Sequence, residues 1–222
     1  DVAIKGDRIV ALGDLQKDKA KMVIDAFGFH VTPGLIDVHS HAAPGLKDQS
    51  MSAAVPILAN GVTTVVISPD GEGPLDLKKE RAALEAAGLG VNVAQLIGHG
   101  SIRAHFFKTK DIQPDAGQLE EMKAYVRQAM EDGAYGMSSG PFYANGFFST
   151  TGELIELSKV AAEYGGIYTR HIRDESNYTV GVEKAVGEVI TISREAKLTS
   201  IVTHIKCLGP VVWDKASRIV SM

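Results

Sequence analysis

An α/β fold of the (β/α)8 TIM-like barrel type, with about six β/α units present and a small β-domain in front, is predicted by three features of the sequence. From residue 34 onward, short apolar runs alternate with longer amphipathic ones, the pattern of a parallel sheet with crossover helices. The run Val62-Thr63-Thr64-Val65-Val66-Ile67-Ser68 is apolar and β-branched on both faces, as a strand covered on both sides must be. Polar residues able to do chemistry gather where these runs end, and in a barrel that end is the rim where sites are built. An open doubly wound sheet is the competing topology, but no Gly-rich nucleotide turn follows the first strand.

The elements follow in order. Residues 1–33 are expected to be part of a small β-sandwich, and residues 34–222 an incomplete barrel comprising strands one to six. Val2-Ala3-Ile4-Lys5, a Gly6-Asp7 turn and Arg8-Ile9-Val10-Ala11-Leu12 read as a hairpin. A further short strand at 22–25 leads to Thr32-Pro33-Gly34. Barrel strand one covers 35–39, followed by a helix around 50–60 and strand two at 62–68. A helix at 77–87 stops at Gly88, and strand three at 91–97 runs into Gly98-His99-Gly100. The helix at 115–132 carries Leu119, Met122, Val126 and Met130 on one stripe and closes at Gly133. Strand four (134–138) enters a Gly-rich loop (139–146). A helix at 151–164, strand five at 167–171, a long helix at 177–197, strand six at 200–204 and a helix from about Val212 complete the chain.

Composition narrows the function. With 222 residues and 45% hydrophobic content the chain can bury a sizeable core. A net charge of -4 without a basic stripe carries no nucleic-acid footprint. The apolar runs are strand-sized and interrupted, which argues against a membrane span. One cysteine, Cys207, rules out an internal disulfide framework and suits a reducing compartment. The chain opens without Met on a strand-like segment and stops at Met222 inside an amphipathic stretch, as a piece of a longer protein would. A cytoplasmic location is expected, with an exported form still open; composition carries no signal for oligomeric state.

The chemistry lies in Gly34-Leu35-Ile36-Asp37-Val38-His39-Ser40-His41. Residues i and i+2 of a strand share a face, so His39 and His41 would aim both imidazoles at one point, half of a metal site. Later strands end in comparable residues: Asp70 past strand two, His99 after strand three, Ser138 and Ser139 at strand four, His171 at strand five, and His204 with Lys206 at strand six. Histidines with a carboxylate on one rim would make most of a dinuclear site, whose bridging water is a hydroxide near neutral pH and can attack an amide carbonyl. His30 is expected to be a surface or packing residue, and His105 a surface one. His99 and Arg103 are expected to shape the rim, with His99 held by neighbouring backbone groups. Ser138 and Ser139 lack a spare histidine to activate them, and Cys207 faces away from Lys206.

Asp37-Val38-His39-Ser40-His41 resembles the first-strand metal motif of the amidohydrolase superfamily. Gly61-Val62-Thr63-Thr64-Val65-Val66, Gly98-His99-Gly100-Ser101-Ile102-Arg103, Gly133-Ala134-Tyr135-Gly136-Met137-Ser138-Ser139-Gly140, His171-Ile172-Arg173-Asp174-Glu175 and Thr203-His204-Ile205-Lys206 narrow the likeness. In that order they resemble the N-acyl-D-amino-acid deacylase (D-aminoacylase) branch. The resemblance implies one or two Zn2+ ions, His39 and His41 on the first and His171 and His204 on the second. The ligand after strand two is commonly a cysteine in that branch; its place here is Asp70, a harder donor that can also bridge, with Glu72 as the fallback. Lys206, two residues after the strand-six histidine, and Tyr143, in the loop after strand four, are implied to hold the free α-carboxylate of a small-molecule N-acyl amino acid. Arg173 either assists or pairs with Asp174 or Glu175.

The activity implied is metal-dependent hydrolysis of N-acyl-D-amino acids to a carboxylate and a D-amino acid. The D preference rests wholly on the resemblance. The family's proton-shuttling aspartate ends strand eight, beyond Met222, so no catalytic acid–base residue is assigned here, and the 222 residues alone are expected to be inactive and poorly folded. Two alternatives remain: a dipeptidase- or hydantoinase-like amidohydrolase, disfavoured because no lysine ends strand four, and a non-catalytic barrel subunit, disfavoured because it has no chemical reason to keep these histidines.

Overall fold

The computed structural model describes residues 1–15 and 19–222. These residues form two compact units, Asp1–Pro33 and Gly34–Met222. In the first, β1 (Val2–Lys5) pairs antiparallel with β2 (Arg8–Leu12) across Gly6, whose φ of 63° suits the tight turn. Residues 22–25 form no strand. Met22 and Ile24 are 78% and 80% exposed, and an apolar run without a pairing edge gains nothing by extending.

The second unit is the predicted α/β barrel architecture. Its six strands are β3 (Leu35–Ser40), β4 (Val62–Ile67), β5 (Asn92–Gly98), β6 (Gly136–Ser139), β7 (Ile167–Arg170) and β8 (Ser200–Val202). They lie side by side in chain order and all pairs are parallel. A doubly wound sheet would reverse its order partway; this curled sheet does not. On β4, Val65 and Ile67 pack with Leu46, Leu84 and Val91, while Val66 packs from the other face with Ala94 and Leu96.

The helices α1 (Ala43–Leu46), α2 (Val55–Ala59), α3 (Leu77–Ala87), α4 (His99–Phe107), α5 (Ala116–Glu131), α6 (Thr151–Glu163), α7 (Val182–Ala196) and α8 (Ala216–Val220) alternate with the strands. α5 starts on a capping box in which Asp115 and Gln118 satisfy each other's backbone N–H groups. Met122, Val126, Ala129 and Met130 of α5 enter the main core with Leu154, Leu157 and Ala161 of α6 and Val186, Val189 and Ile192 of α7. Among the described residues, no helix is long and apolar enough to cross a membrane.

Three helical expectations are corrected, and one helix is additional. The helix around 50–60 is only α2, because Pro56 has no N–H to donate and sits in the first turn, and Ala54 before it is left-handed (φ 52°). The helix at 177–197 begins five residues late. The Asp174 carboxylate accepts the N–H groups of Ser176 (2.9 Å), Thr179 (2.6 Å) and Gly181 (2.9 Å), holding that stretch as a loop. Residues 210–215 are a 3-10 helix leading into α8. α4 was not anticipated: two of its buried residues are His99 and Arg103, which a hydrophobic pattern does not count.

Candidate metal centre

β3 delivers the first pair. His39 is in its last turn of extended chain and His41 lies one residue past its end. Asp70 follows β4 on a turn that only strained backbone can make: Ser68 and Asp70 have φ of 62° and 60°, beside Gly71 at 79°. Ser138 of β6 holds that turn closed. Its hydroxyl donates to the Ser68 carbonyl (2.6 Å) and accepts the Gly71 N–H (3.0 Å), while Ser101 N–H donates to the Gly71 carbonyl (2.9 Å). The strained turn aims a carboxylate that is only 5% exposed at the histidines.

One Asp70 oxygen, Oδ2, lies 3.6 Å from His39 Nε2 and 3.3 Å from His41 Nε2. The other, Oδ1, lies 3.8 Å from His171 Nδ1 and 3.9 Å from His204 Nε2. His171 directly follows β7, and His204 sits just beyond β8 with a positive φ of 33°. The ring centroids of His39 and His204 are 4.7 Å apart and those of His171 and His204 are 4.6 Å apart. The structure therefore brings His39, His41, Asp70, His171 and His204 to one place from the ends of four strands, β3, β4, β7 and β8.

The donor set fits a cation. Asp70 Oδ1, which faces His171 Nδ1 and His204 Nε2, is buried without a hydrogen-bond partner, a costly arrangement unless something else binds there. Tetrahedral zinc holds N and O donors at roughly 2.0–2.2 Å, which spaces neighbouring donors roughly 3.3–3.6 Å apart. The 3.3–3.9 Å separations here are too long for good hydrogen bonds and close to that spacing. His39, Asp70 and His204 converge as one possible donor group, and His171, Glu175 and His204 as another. Burial is the largest influence on His171 and, despite Glu175 and Asp70 nearby, lowers its pKa to about 4; burial lowers that of His39 too. Both rings are then neutral at physiological pH, the form that ligates metals.

Lys206 extends beyond His204 and pairs with Glu175 (Nζ–Oε1 3.2 Å) while remaining half exposed. The Tyr143 hydroxyl lies 3.1 Å from His171 Nδ1. Burial first, then the charges of Asp70, Glu175 and Glu72, raise its pKa, so it stays a phenol donor. Glu72 is exposed and outside both donor groups. His30, in the first unit, and His105 are exposed. Ser139 bonds Tyr168 (2.5 Å), and Cys207 packs half-buried against the main core.

Two expectations are corrected. His99 is held by a side chain, not by backbone: its Nε2 is 2.7 Å from Glu153 Oε1, and Arg103 binds the other Glu153 oxygen. Arg173 pairs with neither Asp174 nor Glu175; its Nη2 and Nε contact Glu188 of α7 at 2.9 and 3.1 Å. The residue that sequence reasoning missed is Glu175, buried between His171, His204 and Lys206. Its signal is the His171-to-Glu175 spacing of four, masked by Arg173, which lies close enough in sequence to pair with it.

Glu188 also binds Arg170, so the residues on both sides of His171 and Ile172 are anchored to α7. Burial works to raise the Glu188 pKa, but the Arg173 hydrogen bonds, the Arg170 and Arg173 charges and the Thr151 hydroxyl together outweigh it and bring it from 4.5 to about 2. A carboxylate depressed on folding stabilises the fold above its unfolded pKa, and that stability fades as pH falls from 4.5 toward 2. Urea unfolding across this window should lose roughly 2–3 kcal/mol through this residue, and Glu188→Gln should flatten the loss; an unchanged slope in the variant would refute the assignment.

A model described as the amidohydrolase family matches residues 30–212. The chain is 35% identical to an N-acyl-D-glutamate deacylase of Alcaligenes xylosoxydans xylosoxydans, covering 98% of this chain and 48% of that protein. It is 33% identical to a D-aminoacylase of the same organism, covering 94% and 47%. The solved structure of an N-acyl-D-glutamate deacylase from Bordetella bronchiseptica, complexed with zinc and a phosphonate mimic of the tetrahedral intermediate, superposes with a TM-score of 0.87 at 32% identity, covering 99% of this chain and 50% of that one. The chain spans about half the length of the curated relatives it matches.

Proposed function

Since this chain belongs to the amidohydrolase family, we propose that it forms the metal-holding part of a zinc-dependent deacylase that hydrolyses the amide bond of N-acyl-D-amino acids, releasing a carboxylate and a D-amino acid. The observation that carries this reading is the convergence of His39, His41, His171 and His204 on the two oxygens of Asp70, with Asp70 Oδ1 buried and unpartnered. These five residues would hold one or two ions. When bound, zinc supplies Lewis-acid polarisation of the amide carbonyl and an activated water.

The remaining tasks fall to this chain's own side chains. Lys206 is placed to pair with the α-carboxylate of the substrate, its half-exposed ammonium having N–H donors to spare while it holds Glu175. Tyr143, kept protonated, offers a second donor from the loop after β6. Ser138 keeps the Asp70 turn closed. No lysine lies in or directly after β6, Gly136–Ser139, which weighs against a hydantoinase-like site. The proton shuttle has no assigned residue among these 222, and residues 1–33 are proposed to belong to a small β-sandwich, on the strength of the β1–β2 hairpin.

The test is hydrolysis of paired N-acetyl-D- and N-acetyl-L-amino acids, glutamate included, by the zinc-loaded full-length protein that carries these residues. Release of free amino acid from the D-forms alone is expected. Turnover of L-forms, or of cyclic amides in preference to either, would contradict the proposal.

A further inference from the structure

Glu175 remains without a role in that account, although it is 3% exposed and surrounded by site residues. We infer that Glu175 is the positioning carboxylate of the second donor pair: it fixes the ring orientation and tautomer of both His171 and His204 and couples them to Lys206. The inference rests on the metal reading above. Its basis is which edge of each ring faces which carboxylate. Asp70 Oδ1 faces Nδ1 of His171 and Nε2 of His204. Glu175 Oε1 faces the opposite nitrogens, Nε2 of His171 at 3.5 Å and Nδ1 of His204 at 3.4 Å.

A neutral imidazole has one N–H and one lone pair, and the lone pair must face the cation. These contacts are longer than a formed hydrogen bond; closing them with Glu175 as acceptor would turn each ring's proton toward Glu175 and its lone pair toward Asp70. One carboxylate thus orders two rings that come from different strands, β7 and β8.

Glu175 could instead be a direct donor, since it converges with His171 and His204. The Lys206 ammonium argues otherwise. It lies 3.2 Å from Glu175 Oε1, the same oxygen that faces both rings, and 3.5 Å from Oε2. A cation bound at that oxygen would sit against a second positive charge, whereas an N–H pair and an ammonium can share it. Asp70, with no cationic side chain paired to it, is the oxygen donor the geometry leaves for an ion.

The test is zinc affinity of the full-length protein by competition with a chromophoric chelator, alongside thermal unfolding of the metal-free forms. Loss of an orienting carboxylate typically weakens metal binding about 10–100-fold. Glu175→Ala should fall within that range. Glu175→Gln, which keeps one acceptor oxygen, should lose less, with the number of ions at saturation unchanged and the metal-free unfolding temperature close to that of the unsubstituted protein. Wild-type affinity in both variants overturns the inference while leaving the metal reading intact. Loss of an ion at saturation also overturns it, by making Glu175 a direct ligand. A lowered metal-free unfolding temperature with unaltered affinity of the folded protein would make the residue merely structural. An unsubstituted protein that binds no zinc would sink the proposed function as well.

Discussion

Asp70→Asn is expected to lower zinc affinity by more than about 100-fold, beyond what an orienting residue costs, and deacylation should fall with it. Asp70 is the one residue whose two oxygens face all four histidines: Oδ2 toward His39 and His41, Oδ1 toward His171 and His204. Asparagine keeps the shape but replaces one anionic oxygen with an amide nitrogen that cannot ligate. The stability consequence runs the opposite way. In the metal-free protein Asp70 is a buried carboxylate with Oδ1 unpartnered, so neutralising it removes a desolvation cost and should leave unfolding unchanged or slightly delayed. Zinc, which binds the folded state, should then raise the unfolding temperature of the unsubstituted protein and hardly affect the variant. Calorimetric melts with and without zinc read both effects. A variant that zinc stabilises as strongly as the unsubstituted protein would show that Asp70 is no ligand.

Glu153→Ala is expected to produce the largest loss of stability in the second unit, about 3–5 kcal/mol. Glu153 is 4% exposed on the first turn of α6 and holds two buried groups of α4, Arg103 through one oxygen and His99 through the other. Removal leaves the Arg103 guanidinium, 1% exposed, with the Ile112 carbonyl and the face of Phe107 at 5.3 Å as its remaining support. An uncompensated buried charge is among the few single changes that cost so much. Burial, more than the Glu153 bond opposing it, lowers the His99 pKa, so His99 should stay neutral in the variant. Zinc affinity of the folded fraction should be unaltered, since none of these residues is a metal donor here. Denaturant unfolding with a loss below about 1 kcal/mol would mean that the ion pair adds little over a repacked apolar contact.

The barrel architecture was legible because its signal is local and repeated. Each of the six strands lies within about two residues of its expected place, since β-branched runs such as 62–67 and stops such as Gly88 and Gly133 act on their immediate neighbours. Errors arose where side chains at a distance decide. Nothing in the local pattern says that Asp174 will gather three backbone N–H groups and delay α7, or that His99 and Arg103 will be core residues because Glu153 arrives from α6. The rim histidines could be read because each ends its own strand. Glu175 could not, because its meaning depends on where His204 and Lys206 stand, and that requires the sheet to be closed up between β7 and β8. The strained turn at Ser68 and Asp70 was equally hidden: its clamp, Ser138, is 70 residues from Ser68 in sequence.

The most direct test of the central claim is an anomalous difference map, at the zinc edge, of crystals of the full-length protein grown with zinc. One or two peaks are predicted about 2.0–2.2 Å from their donors, between Asp70 and the Nε2 atoms of His39 and His41, and between Asp70, His171 Nδ1 and His204 Nε2. An empty cluster, or zinc bound only elsewhere, such as at His99 and Glu153, would contradict the account.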